Sequence, residues 1–281
     1  MGKFYEFRAA KEPKTAEILV YGPIGSQGMF GSGDDITAKG FRQELDAAGD
    51  VGEINLYVNS PGGDPFTAQA IYSMLKRHKA HVTVYVDGLA ASAASLLAMA
   101  GDTIVMVANG LMMIHEPRAI SMGTADEMRS AAEALDRVGT AMAVAYADKS
   151  GKPQEDVLAV MKAETWFTAQ EAVDAGFADE VEGERRIAAS LQDNKLTING
   201  QQVDLSAFRA FPAEKVAESF LDAGKALEPL TAAAEELLAA EPAEVEQEPT
   251  EAPAADEQEE AAPAQDEKQA RLKLLRLRAR T

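Results

Sequence analysis

The sequence predicts an α/β domain built on a parallel-rich sheet, followed by a tail of different texture. Three observations carry this expectation. Short apolar runs rich in β-branched residues alternate with helical patterns from Glu17 to Val181. Strands separated by helices in this way pair in parallel, and right-handed crossovers are expected. After about Ala189 the alternation stops, and from Pro242 to Gln265 the chain is mainly Ala, Pro, Glu and Gln, too poor in apolar surface to order itself.

Each element has a local reason. Glu17–Tyr21 (E-I-L-V-Y) reads as a strand ended by Gly22-Pro23, and Ile36–Ala48 as an amphipathic helix with Asp35 or Thr37 as its cap. Ile54–Val58 is a strand and Phe66–Arg77 a helix with apolar positions at Ala70, Ile71, Met74 and Leu75. Val82–Val86 is a strand, Ser92–Ala100 an apolar helix, and Thr103–Val107 and Leu111–Ile114 are strands. The capping box Thr124-x-x-Glu127 opens a long helix to about Asp148, and Pro153 starts the next one. A second box, Thr168-x-x-Glu171, opens a short helix stopped by Gly176. Lys195–Leu205 predicts a small hairpin turning at Asn199-Gly200. The expected organisation is a domain over 1–189, a hairpin or helical extension over 190–240, and an acidic linker with a basic C-terminal segment over 241–281.

Composition narrows the chemistry. The 281 residues include no cysteine, which removes disulfides, thiolate metal sites and cysteine nucleophiles. Neither the N-terminus, M-G-K-F-Y-E-F-R, nor any later stretch has the apolar run of a signal peptide or membrane span, so a soluble, cytoplasmic protein is expected. The net charge of −19 is concentrated between Ala226 and Glu267, where fourteen acidic residues stand without Lys or Arg. Such a distribution argues against nucleic-acid binding by the main domain.

Few residues remain that could do chemistry. Asn59-Ser60-Pro61-Gly62-Gly63 lies between a strand and a helix, and its glycines can leave N–H groups aimed at a developing oxyanion; a plain turn would look the same. Ser92 sits in G-L-A-A-S-A-A-S among small residues at the start of an apolar helix, which suits either a nucleophile open to a bulky substrate or an N-cap. Ser95, one turn further on, is the weaker candidate. His78 and His81 lie in the basic connection K-R-H-K-A-H and read as surface residues without further metal ligands. His115 ends the strand Leu111–Ile114, where parallel sheets place their sites, and is the candidate base, the alternative being a packed histidine at a strand end. Composition does not single out a third, orienting carboxylate among the 46 acidic residues.

Together N-S-P-G-G at Asn59–Gly63, G-L-A-A-S-A-A-S around Ser92, M-I-H-E-P around His115 and W-F-T-A-Q-E-A-V-D-A-G at Trp166–Gly176 resemble the Clp protease proteolytic subunit family in order and spacing. The resemblance covers roughly Ile18–Val181. D-I-T-A-K-G-F at Asp35–Phe41, L-K-R-H-K-A-H and E-T-W-F make the texture most similar to the Clp-like head maturation (prohead) proteases of tailed phages and prophages. The resemblance implies a Clp/crotonase-like fold and a serine endopeptidase with Ser92 as nucleophile and His115 as base. It implies an oxyanion hole formed by the Gly63 and Ala93 N–H groups. The family's third-member aspartate aligns with Glu164, one methylene longer, with Asp148 and Asp179 as reserves. It further implies a homo-oligomeric ring stacked through the long helix, protein or peptide substrates (capsid and scaffold proteins on the phage reading), and no metal or cofactor. The expected location is the cytoplasm, that of the host if the chain is phage-encoded. An unfoldase ATPase partner is left open: no G-x-x-x-x-G-K loop is present, so ATP dependence would come from a partner. On the phage reading the basic segment Arg271–Thr281 is expected to dock on a capsid or scaffold; the alternative is a tail without a partner. The competing readings are a housekeeping Clp subunit, a catalytically degenerate assembly protein, and a crotonase-type acyl-CoA enzyme.

Overall fold

In the computed structural model, which describes residues 5–9, 14–25, 38–183, 188–192, 194–213 and 215–216, the apolar runs become one eight-stranded sheet. The expected caps Asp35 and Thr37, the linker and the basic C-terminal segment fall outside the described residues. The strands are β1 (Tyr5–Ala9), β2 (Thr15–Tyr21), β3 (Glu53–Ser60), β4 (His81–Ala91), β5 (Thr103–Val107), β6 (Leu111–Ile114), β7 (Thr165–Thr168) and β8 (Glu180–Glu182). They are ordered β1-β2-β3-β4-β5-β8, with β6 joined to β4 and β7 to β6. From β2 to β8 the neighbours run parallel, as do β4 and β6; β1–β2 and β6–β7 are antiparallel. The helices are α1 (Ala38–Ala47), α2 (Pro65–Lys76), α3 (Ala93–Ala98), α4 (Ala125–Ser150), α5 (Gln154–Lys162) and α6 (Ala169–Asp174).

Local chemistry sets the boundaries. Asp64 caps α2 by accepting from the Phe66 and Thr67 N–H groups, with Pro65 as its first residue. Both expected capping boxes form, on α4 and on α6. β1, β7 and β8 were not anticipated: β8 is only three residues long, and β7 shares its last residue with the cap of α6. β4 runs five residues past the expected Val86, and α3 starts at Ala93 rather than Ser92. The reason is the backbone of Ser92, whose φ of 55° and ψ of −125° is neither strand nor helix.

β4 positions the site. Its first half, Thr83–Val86, pairs with β5, and its second half, Leu89–Ala91, pairs with β6. Between the halves its pairing with β3 shifts register, from Val58↔Val86 to Ser60↔Ala90. Because side chains alternate across a strand, β4 and β6 each feed two cores. Ala90, Met112 and Ile114 join the main core with β2, β3 and the helices, while Leu89, Ala91, Leu111, Met113 and Trp166 form a second one.

The second core is completed by the appended strands β9 (Ala189–Gln192), β10 (Lys195–Ile198) and β11 (Gln201–Asp204), which form a three-stranded antiparallel sheet. β10 and β11 are joined by Asn199-Gly200, both at positive φ. Leu191, Leu196, Ile198, Val203 and Leu205 from this unit are buried against β4, β6 and Trp166. Asn59 ties the two sheets: its Nδ2 donates to the Ile198 and Asn199 carbonyls at 3.1 and 3.2 Å, and its Oδ1 accepts from the Leu89 N–H at 3.2 Å.

Candidate active site

β3 ends in the turn Asn59–Gly63, where Gly62 and Gly63 have φ of 94° and 144°. No other residue fits here. A side chain on Gly62 would meet the Ala91 carbonyl oxygen at 2.5 Å, Ser92 Cβ at 2.7 Å and the Ala93 nitrogen at 2.8 Å, and one on Gly63 would overlap the Ile24 backbone. The turn is fixed by Ser60, which donates to the Gly22 carbonyl at 2.6 Å and accepts from the Gly62 N–H at 3.1 Å. The Ile24 N–H donates to the Gly62 carbonyl, and the Asp64 N–H to the Ile24 carbonyl. Gly63, between them, and Ala93, beside Gly62, are the two positions expected to supply the oxyanion hole.

Ser92 stands at the junction of β4 and α3. Its N–H donates to the Met113 carbonyl at 2.9 Å, which joins the junction to β6, the strand that delivers His115. Its side chain makes no capping bond to α3. Instead, Ser92 Oγ lies 2.7 Å from His115 Nε2. Ser95 is fully buried: its Oγ contacts the Ser92 and Met113 carbonyls at 2.7 and 2.8 Å and the Tyr146 hydroxyl at 2.9 Å. The weaker serine candidate is thus a brace beneath Ser92.

Burial, reinforced by the positive charges of Arg118 and Arg209 and only partly offset by Glu164, lowers the His115 pKa to about 4. The imidazole is therefore neutral at physiological pH, the form able to accept a hydroxyl proton at Nε2. His115 Nδ1 is buried without a hydrogen-bond partner among the described residues. Glu164, the expected third member, is buried nearby at a positive φ of 52°, but its carboxylate is turned elsewhere. It accepts from Arg118 and from the Ala210 N–H at 2.8 Å. Burial pushes this carboxyl up, yet the Ala210 and Arg209 N–H groups and the Arg118 guanidinium outweigh it and hold the pKa below its ordinary value. The structure therefore brings Ser92 and His115 together and does not join Glu164 to His115. Of the reserves, Asp179 accepts from the Ile104 N–H and pairs with Lys149. The surface histidines stay apart from the site: His78 Nδ1 accepts from the Ala80 N–H, and His81 lies 3.6 Å from Asp102.

The pair opens onto a cleft of about 450 Å3 lined by Pro61, Gly62, Gly63, Met142 and Pro117, with Arg118 and Phe208 among its other walls. Sequence reasoning missed Arg118 and Phe208. Arg118 follows His115 by three residues and belongs to no motif, while F-R-A-F at Phe208–Phe211 is an aromatic signal that falls within the predicted extension.

A serine hydroxyl lies against a neutral imidazole at a strained strand-to-helix junction of a parallel-rich α/β sheet, an arrangement in which the imidazole can accept the hydroxyl proton. The chain belongs to the Clp protease family, whose model matches residues 34–185. It is 35% identical over 158 residues to the ATP-dependent Clp protease proteolytic subunit 3 of Rhodococcus jostii, covering 54% of this chain and 78% of that protein. It is 33% identical over 153 residues to the proteolytic subunit of Porphyromonas gingivalis, covering 53% and 69%. For the subunit of Ligilactobacillus salivarius the figures are 36% over 137 residues, covering 48% and 70%. Family membership makes the chain a serine-type peptidase by descent. Among the described residues no helix is long and apolar enough to cross a membrane.

Proposed function

We propose that the chain is a serine endopeptidase that works as a Clp-type proteolytic subunit, with Ser92 as nucleophile and His115 as general base. The observation that supports this best is the 2.7 Å contact between Ser92 Oγ and His115 Nε2 at the wall of the cleft. His115 takes the hydroxyl proton as Ser92 Oγ attacks a peptide carbonyl. The oxyanion is held by the Gly63 and Ala93 N–H groups, each contributing on the order of 100- to 1,000-fold in rate. His115 then protonates the leaving amine, and water, giving its proton to His115, hydrolyses the acyl-enzyme. Glu164 remains the proposed orienter: its charge already raises the His115 pKa, and the role requires its carboxylate to move from Arg118 to His115 Nδ1.

The relatives are named as subunits of ATP-dependent proteases. Their names favour a proteolytic subunit that works with an ATP-dependent partner, and the homo-oligomeric ring implied by the family resemblance stays part of the proposal. The head-maturation reading draws no support from them. The test is labelling by a fluorophosphonate together with peptide hydrolysis. Wild type should label and turn over, and Ser92→Ala and His115→Ala should each lose both, with losses that do not add because the two act as a unit. Turnover by Ser92→Ala above a tenth of wild type would remove Ser92 from the role.

A further inference from the structure

Four of the residues lining the cleft, Gln202, Val203, Asp204 and Phe208, come from the appended sheet and the turn after it, beyond the 34–185 stretch that matches the family. The peptidase reading of Ser92 and His115 accounts for none of them. We propose that β9–β11 and the following turn build one wall of the substrate cleft, with Phe208 as a specificity-determining residue beside the base. The proposal rests on that peptidase reading.

The wall is anchored at several independent points. Val203 and Leu205 are buried in the second core together with Leu89 and Ala91, which lead directly to Ser92. Asn59 crosses from the end of β3 to the hairpin turn, and Asn199 Nδ2 returns to the Asp87 carbonyl at 3.0 Å. Further on, the Ala210 N–H holds the Glu164 carboxylate, and Lys215 pairs with Glu171 at 2.7 Å. A segment held at both ends and in its middle presents a rigid face, as a pocket that discriminates between side chains requires.

The placement of Phe208 is specific. Its ring meets the imidazole of His115 edge-on at 6.4 Å between centroids, and Trp166 behind it at 5.3 Å. It is only half-buried, so one part of the ring belongs to the protein and the other faces the cleft. With Pro61, Pro117 and Met142 as other lining residues, the space beside Ser92 suits an apolar substrate side chain whose size Phe208 limits. Phe211 is the natural control. It also packs edge-on against Trp166, at 5.0 Å, and does not line the cleft.

The experiment compares wild type, Phe208→Ala, Phe208→Leu and Phe211→Ala on peptides that differ only in the residue before the scissile bond, from Ala through Leu to Phe and Trp. Phe208→Ala should lower kcat/KM for the best wild-type peptide by on the order of 10- to 100-fold, chiefly through KM, and shift the ranking toward larger side chains. Phe208→Leu, which keeps most of the volume, should shift it in the same direction by less. Phe211→Ala should change all peptides by one common factor. An unchanged ranking in both Phe208 variants would overturn the proposal. So would a re-ranking by Phe211→Ala as large as that by Phe208→Ala, because it would make the effect one of general loosening. A wild type that neither labels with fluorophosphonate nor cleaves any peptide would instead overturn the peptidase reading itself.

Discussion

Replacing Ser95 by alanine separates a nucleophile from a brace. Its Oγ contacts the Ser92 carbonyl, the Met113 carbonyl and the Tyr146 hydroxyl, but its single proton serves one carbonyl at a time. Both carbonyls keep other donors: the Ser92 oxygen accepts from the Ser95 and Leu96 N–H groups, and the Met113 oxygen from the Ser92 N–H. The group left stranded is the Tyr146 hydroxyl, on a side chain with no exposure. One buried, unsatisfied polar group costs about 1–3 kcal/mol, and that is the expected loss in urea unfolding at fixed protomer concentration. Tyr146→Phe added to Ser95→Ala should recover most of it, since both polar partners are then gone. Fluorophosphonate labelling should persist within about tenfold, because the Ser92–His115 contact does not pass through Ser95. Lost labelling with unchanged unfolding would make Ser95 the nucleophile, and failure of the double variant to recover stability would refute the hydrogen-bond reasoning.

Other expectations follow from the same contacts. The acid limb of the labelling rate should lie near pH 4, since His115 must be neutral to act and its pKa is lowered to about 4; a wild-type limb at 6.5 would contradict burial as the cause. Arg118→Met removes a charge that lowers this pKa and releases Glu164, so the limb should move to higher pH, and a shift to lower pH would rule the account out. Asn59→Ala orphans the buried Leu89 N–H and removes two of the bonds that hold the hairpin turn, at a cost of about 2–4 kcal/mol; a loss under 0.5 kcal/mol in urea unfolding would show that the bonds to Ile198 and Asn199 hold little. Trp166 is the sole tryptophan and packs on Phe208 and Phe211, so its emission should shift to the red in Asn59→Ala if the appended sheet loosens.

Strands β2 to β6 of the main sheet and both capping boxes were legible because each is written locally, in a β-branched run or in a Thr and a Glu three residues apart. Ser92 and His115 were legible because small residues and a strand end leave few alternatives. Three things were not. The turn of Glu164 toward Arg118 and Ala210 depends on residues 46 positions away on either side, a tertiary choice with no local signature. The second core is hidden for a similar reason: Leu89 and Ala91 on β4 read as part of a small-residue motif, and most of the other residues of that core lie beyond Ala189. The extension of β4 to Ala91 was missed because G-L-A-A has poor strand propensity, and pairing with β3 and β6 overrides it.

β4 behaves as a shared beam with a load at its tip. Its first half lies in the main core, its tip is held by both cores through Ala90 on one face and Leu89 and Ala91 on the other, and the chain leaves it directly at Ser92. A volume change in either core can therefore appear as a displacement of the nucleophile, even when the altered side chain lies far from the cleft. The appended strands and the main sheet are thus coupled mechanically at Ser92. A chimaera that joins this core to a foreign C-terminal sheet would inherit an intact Ser92 and His115, yet would have to re-establish their 2.7 Å spacing from a second core that no longer fits.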